Sequence, residues 1–94
     1  MNNNFTFVIA NSCDIPSLST MVRSVQSKAW AKRYRGRLAK YADKFTNAGN
    51  DSRQTIGCLL HAAYGVNIGE QILGRLDIVA ISKIRKNVLH IMYG

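Results

Sequence analysis

Apolar residues along this 94-residue chain recur mostly at intervals of three and four, the spacing of one face of an α-helix. Leu18, Met21, Val22, Val25 and Ala29 form a first stripe, and Trp30, Tyr34, Leu38, Tyr41 and Phe45 a second, one residue out of step with it. Asp14 is placed to cap the first helix, with Pro16 in its opening turn, where a missing N–H costs little. The step between the stripes, with Gly36 close by, predicts a bend or a junction between two helices. A helical glycine costs about 1 kcal/mol relative to alanine, so Gly36 has a reason to be there: a kink, or close approach to a phosphate backbone.

The clearest loop is NAGNDS, Asn47 to Ser52, after which Asp51 or Ser52 caps a helix carrying Ile56, Leu59, Leu60, Ala63 and Tyr64. Gly65 stops that helix, and Asn67 with Glu70 forms a cap-like N-x-x-E pair that opens the last one. On it Ile68, Ile72, Leu76, Val79, Ala80, Ile84, Val88 and Ile91 make one broad stripe. Residues 77–92 are also rich in β-branched side chains, so helix and strand both stay open there, with helix the expectation. Near the start, Phe5, Phe7 and Ile9 alternate within FTFVIA, the pattern of a short strand or extended arm that has to pair with another chain or lie on the helices.

These elements predict a mostly α fold, a compact bundle of three to four helices with a short N-terminal strand or arm. The chain divides into an arm at 1–13, a basic helical segment at 14–48 and a C-terminal helical pair at 51–94, all in one small domain. A single proline and sparse turn clusters disfavour a many-stranded sandwich. At this length the core is modest, so burial in a homodimer or against another partner would add usefully to stability.

Charge changes the picture most. Thirteen Lys and Arg against five Asp and Glu give a net charge of +8. Seven of those cations, Lys28, Lys32, Arg33, Arg35, Arg37, Lys40 and Lys44, fall in one window that holds a single acid, Asp43. On a helix Lys28, Lys32 and Arg35 align as one row, and Arg33, Arg37, Lys40 and Lys44 as its neighbour. Uncompensated positive charges repel one another, and a polyanion relieves that cost. Trp30, Tyr34 and Tyr41 interleave the window and could stack on bases, but their spacing puts them on the apolar stripe, where core packing is the expectation.

The stretch AAYGVNIGEQILGRL resembles a helix-turn-helix, in which the second helix reads base edges in the major groove. The resemblance implies Asn67, Glu70, Gln71 and Arg75 as readers. His61, Gln71 and Gly74 depart from the motif, occupying positions that usually hold small or apolar residues.

Catalytic chemistry finds little support. No glycine-rich phosphate loop, nucleophile elbow or carboxylate pair is present, and no Cys or His stands at metal-ligand spacing, so neither enzyme activity nor a cofactor or metal is expected. His61 and His90 read as core or interface residues, and Cys58 as a small hydrophobe; Cys13, before a helix, is the more reactive thiol. Two reduced thiols suit a cytoplasmic protein, and no stretch approaches the apolar length of a membrane span. The leading expectation is a small basic nucleic-acid-binding regulator, DNA before RNA, holding phosphates through the 28–44 face. The alternative is a small inhibitor or adaptor, of the kind phages and plasmids carry, that docks the same face on an acidic surface of a larger host protein such as a nuclease or defence complex. A structural subunit that self-associates is the third.

Overall fold

Two serines set the start of the first two helices among the described residues. The Ser17 side chain accepts a hydrogen bond from the Thr20 amide, and the Ser27 side chain accepts one from the Trp30 amide, each at 3.2 Å. They open α1 (Leu18–Ser24) and α2 (Lys28–Arg33) in a computed structural model that describes residues 17–46 and 51–94. There follow α3 (Arg35–Leu38), a 3₁₀ turn (Ala39–Tyr41), α4 (Ala42–Thr46), α5 (Asp51–Tyr64), α6 (Val66–Gly74) and α7 (Ile78–Tyr93). The fold is mostly helical (86%) and compact, with no strand among the described residues.

Among the described residues seven α-helices stand where three or four were expected, because several predicted helices are broken. The basic segment is one case. Its backbone leaves the helical region at Tyr34 (φ −101°, ψ 23°), and α3, the 3₁₀ turn and α4 then step round in short pieces. Those steps let Trp30, Ala31, Leu38 and Phe45 all face inward, although they belong to stripes out of phase with one another. The break falls two residues before Gly36, which lies inside α3 in open space. The C-terminal stripe is the second case. It divides at Arg75–Asp77, where the Asp77 carboxylate accepts from the Ala80 amide at 2.8 Å and starts α7 afresh. Residues 78–93 are helix, which settles the ambiguity between helix and strand.

Three capping expectations are corrected. The N-cap of α1 is Ser17; Asp14 and Pro16 lie outside the described residues, as do the 5–10 strand and most of the NAGN loop. Ser52 is buried in the first turn of α5, and its hydroxyl finds no partner among the described residues. The Asn67–Glu70 cap does not form. The N-cap of α6 is Gly65, whose φ of +88° only glycine adopts cheaply, and Glu70 faces back toward α5.

The core runs along the seam where α2 and α4 pack on α7 and α5 packs on α6. Leu38, Phe45, Ile56, Leu60, Ile72 and Val88 are fully buried in it, each worth about 1.5–3 kcal/mol of transfer energy. Asn87 on α7 donates from Nδ2 to the Gln26 carbonyl at 2.8 Å and ties the α1–α2 turn to the same helix. The tightest contact lies between α5 and α6. A Cβ on Gly69 would come within 2.9 Å of the Leu60 carbonyl carbon, so the two backbones approach as closely as they do only because that position is glycine. Among the described residues no helix is long and apolar enough to cross a membrane.

Candidate anion-binding surface

Every one of the seven cations in the 28–44 window is exposed, and none forms an ion pair among the described residues. Their elements explain this. Trp30 and Ala31 turn the inner face of α2 into the core, which leaves Lys28, Lys32 and Arg33 for solvent, and Leu38 does the same for Arg35 and Arg37 on α3.

The structure does not keep these seven residues together. Lys28 and Lys32, one turn apart on α2, and Arg35, the first residue of α3, line one open cleft of about 500 Å³, closed on its other side by His90 and Ile91 from the last turns of α7. Arg33 leaves that row and sits near enough to the Tyr64 hydroxyl to act on its charge. Lys44 borders a separate recess of about 210 Å³ with Tyr41, Gln54, Thr55 and Cys58. Arg37 and Lys40 are exposed and line neither of these hollows. Lys28, Lys32 and Arg35, the first row expected from a continuous helix, thus line one cleft together, while the second, 33–37–40–44, is crossed by the breaks at Tyr34 and Ala39.

Trp30 does not stack on a ligand. It is only 3% exposed, and its Nε1–H donates to the Tyr64 hydroxyl at 2.9 Å. Tyr34 packs beside both rings, at centroid distances of 4.9 Å from Trp30 and 6.3 Å from Tyr64. Burial raises the Tyr64 phenol above its ordinary pKa of 10.0, the hydrogen bond from Trp30 and the charge of Arg33 acting the other way. Tyr41 is half-buried against the same core.

Not all positive charge belongs to the surface. Arg53 donates from Nη1 to the Leu76 carbonyl at 2.8 Å and from Nη2 to the Leu73 carbonyl at 2.9 Å, holding the end of α6. Arg85 donates from Nε to the Phe45 carbonyl at 2.9 Å, holding the end of α4. Both guanidinium groups bond carbonyls at a helix terminus, where backbone partners run short, although Leu73 also accepts from the Leu76 amide at 3.1 Å. Neither role is visible in sequence, because the carbonyls served lie on other elements.

The candidate base-reading residues ride elsewhere. Asn67 and Gln71 are exposed one turn apart on α6, and Arg75 stands just past its end, but none of them lines the basic cleft. α5 and α6 do form consecutive packed helices, joined by the single residue Gly65 where a helix-turn-helix has a longer turn. Glu70 is engaged with His61, Nε2 to Oε2 at 2.6 Å, so His61 has the carboxylate neighbour that sequence did not place beside it. Cys58 is exposed, not packed in the core as a small hydrophobe; Cys13 lies outside the described residues. Among the described residues no three of His, Cys, Asp and Glu come together. What sequence missed at the cleft is His90 with Ile91, which no local signal connects to the basic window.

Compared with protein-family models, with curated proteins and with solved structures, the chain matches none.

Proposed function

We propose that this protein is a small, non-enzymatic nucleic-acid-binding regulator that holds phosphates on the face formed by α2, α3 and α4. The observation that carries this reading is the convergence of Lys28, Lys32 and Arg35 on one cleft without any acid among its lining residues. Three exposed cations held together on a folded surface carry a repulsive cost that a phosphate backbone relieves. Arg37, Lys40 and Lys44 extend the positive field past the cleft, and Arg33 flanks it. DNA is the favoured nucleic acid; Asn67, Gln71 and Arg75 are secondary contacts on α6.

A second reading has its own support. Ile78 and Val79 are 83% and 74% exposed at the start of α7, where Lys83 and Lys86 flank them across a shallow groove. A polyanion has no use for exposed β-branched side chains, whereas an acidic protein surface with an apolar centre matches both components. In that reading the chain is an inhibitor or adaptor of a larger, DNA-processing protein.

A salt titration separates the two. On a labelled duplex and a labelled single strand, wild type should bind at about 150 mM salt with a log–log slope near −0.9 per duplex phosphate neutralised. Reversing Lys28, Lys32 and Arg35 to Glu should abolish it, and Arg33→Glu, Arg37→Glu and Lys40→Glu together should weaken it. Absence of wild-type binding to either strand at that salt sinks the nucleic-acid reading and leaves the protein-directed one.

A further inference from the structure

We infer that the cleft between α2, α3 and the last turns of α7 is a seat for a phosphomonoester, so that the protein favours phosphorylated ends of nucleic acid over internal phosphodiesters. This rests on the reading of the basic face as a phosphate-binding surface and adds which phosphate it takes.

The argument is one of charge and shape. A row of cations that tracks a backbone offers about one charge to each phosphodiester, which carries one negative charge. Here three permanent cations, Lys28, Lys32 and Arg35, address a single cleft, and His90 adds a ring N–H from the facing helix. That is more positive charge than one phosphodiester balances. A phosphomonoester carries about −1.5 to −2 at pH 7 and presents three acceptor oxygens, and it meets this excess. The lining residues also come from three helices: Lys28 and Lys32 from α2, Arg35 from α3 and His90 from α7. Oxygens spread around a terminal phosphorus can use such a convergent set, whereas a phosphate inside a strand has two of its four oxygens tied up in ester bonds. The volume of about 500 Å³ suits a terminal nucleotide, with Ile91 as an apolar wall for its sugar. By contrast Arg37 and Lys40 are exposed, do not line this cleft, and serve as general backbone contacts.

The same chemistry could come from a strand end or from a free nucleotide, and the experiment distinguishes them. Anisotropy would be read on a 3′-labelled single strand of about twelve nucleotides, within the range of small single-strand sites, carrying either a 5′-phosphate or a 5′-hydroxyl. The phosphorylated strand should bind about tenfold tighter at near-physiological salt. Lys32→Ala and His90→Gln should each remove most of that ratio, and Lys32→Arg should restore it. The double variant Lys83→Ala, Lys86→Ala removes two charges outside the cleft and should keep the ratio. Adenosine monophosphate in excess should displace the phosphorylated strand down to the level of the hydroxyl strand. Equal binding of both strands overturns the phosphomonoester seat while the nucleic-acid reading stands. Binding of adenosine monophosphate with no binding of either strand supports the seat, assigns it to free nucleotides and overturns the nucleic-acid reading. No binding of any of the three probes overturns both.

Discussion

The Trp30 indole N–H donates to the Tyr64 hydroxyl at 2.9 Å, tying the middle of the basic segment to the end of α5. The bond fixes α2 about its own axis: with the indole held inward, Lys28 and Lys32 have to face out toward α7's last turns. The surface proposed to hold anions is therefore set by a buried contact on the other side of the same helix. Tyr64→Phe strands the buried Trp30 indole N–H and should cost about 1–3 kcal/mol in urea unfolding, whereas Trp30→Phe leaves a half-buried hydroxyl that water can reach and costs mainly lost packing. The double variant should cost less than the sum of the two, with a coupling of about 1 kcal/mol in a double-mutant cycle. Additive effects would show that the hydrogen bond contributes nothing beyond packing.

Tyr64 also makes stability depend on alkaline pH. Burial raises its pKa in the folded protein above the ordinary 10.0, so the unfolded chain loses this proton first as pH climbs. The stabilisation is fully present below pH 10.0 and is lost as pH rises from there through the folded value. A series of thermal melts across that interval should show wild type falling more steeply than Tyr64→Phe. Parallel curves would mean that the phenol is equally accessible in both states.

Two glycines should respond to alanine in opposite directions. At Gly69 the new Cβ meets the Leu60 carbonyl carbon and the His61 ring, each at 2.9 Å, and backbone cannot give way cheaply. Gly69→Ala should destabilise by about 1–3 kcal/mol. Gly36 is helical, exposed and open on all sides, so Gly36→Ala should stabilise by about 0.5–1 kcal/mol. If Gly36→Ala also weakens oligonucleotide binding without loss of stability, the glycine is there for close approach of a phosphate backbone and not for folding.

Arg53 and Arg35 offer a test of equal charge and unequal role. Arg53→Ala removes the side-chain bond to the Leu76 carbonyl and one of two bonds to the Leu73 carbonyl and should cost about 1 kcal/mol of stability, with oligonucleotide affinity of the folded protein changed little. Arg35→Ala should leave the melting temperature within about 2 °C of wild type and cut affinity about tenfold. The comparison is read by pairing a melt with a binding isotherm for each variant. Equal losses of affinity from both would show that net charge, and not the cleft, governs binding.

Periodicity alone determined much of this protein. The 3.6-residue recurrence of Leu18–Ala29, of Ile56–Tyr64 and of the last stripe is a local property of the chain, and it correctly marked a mostly helical fold and most of the core, including Trp30, Leu38, Phe45, Ile56 and Ile72. The density of charge at 28–44 is likewise local, and so is the stop at Gly65. Ser27 and Asp77 were legible as caps, each standing three residues before the amide it accepts from, though the apolar stripes running past them drew the helices as continuous.

Tertiary structure decided what periodicity cannot carry. Whether a stripe continues or breaks also depends on what it packs against: the interruption at Tyr34 carries no strong local signal, whereas the one at Arg75–Asp77 has the Asp77 cap. The pairing of His61 with Glu70, the capping of α6 by Arg53, and the meeting of Lys28, Lys32 and Arg35 with His90 all join residues from different helices. A sequence gives the number and kind of its charges. Which of them hold helix ends and which converge on one cleft is fixed only when the helices pack, because Coulomb and hydrogen-bond energies depend on distances that the order of residues along a chain does not contain.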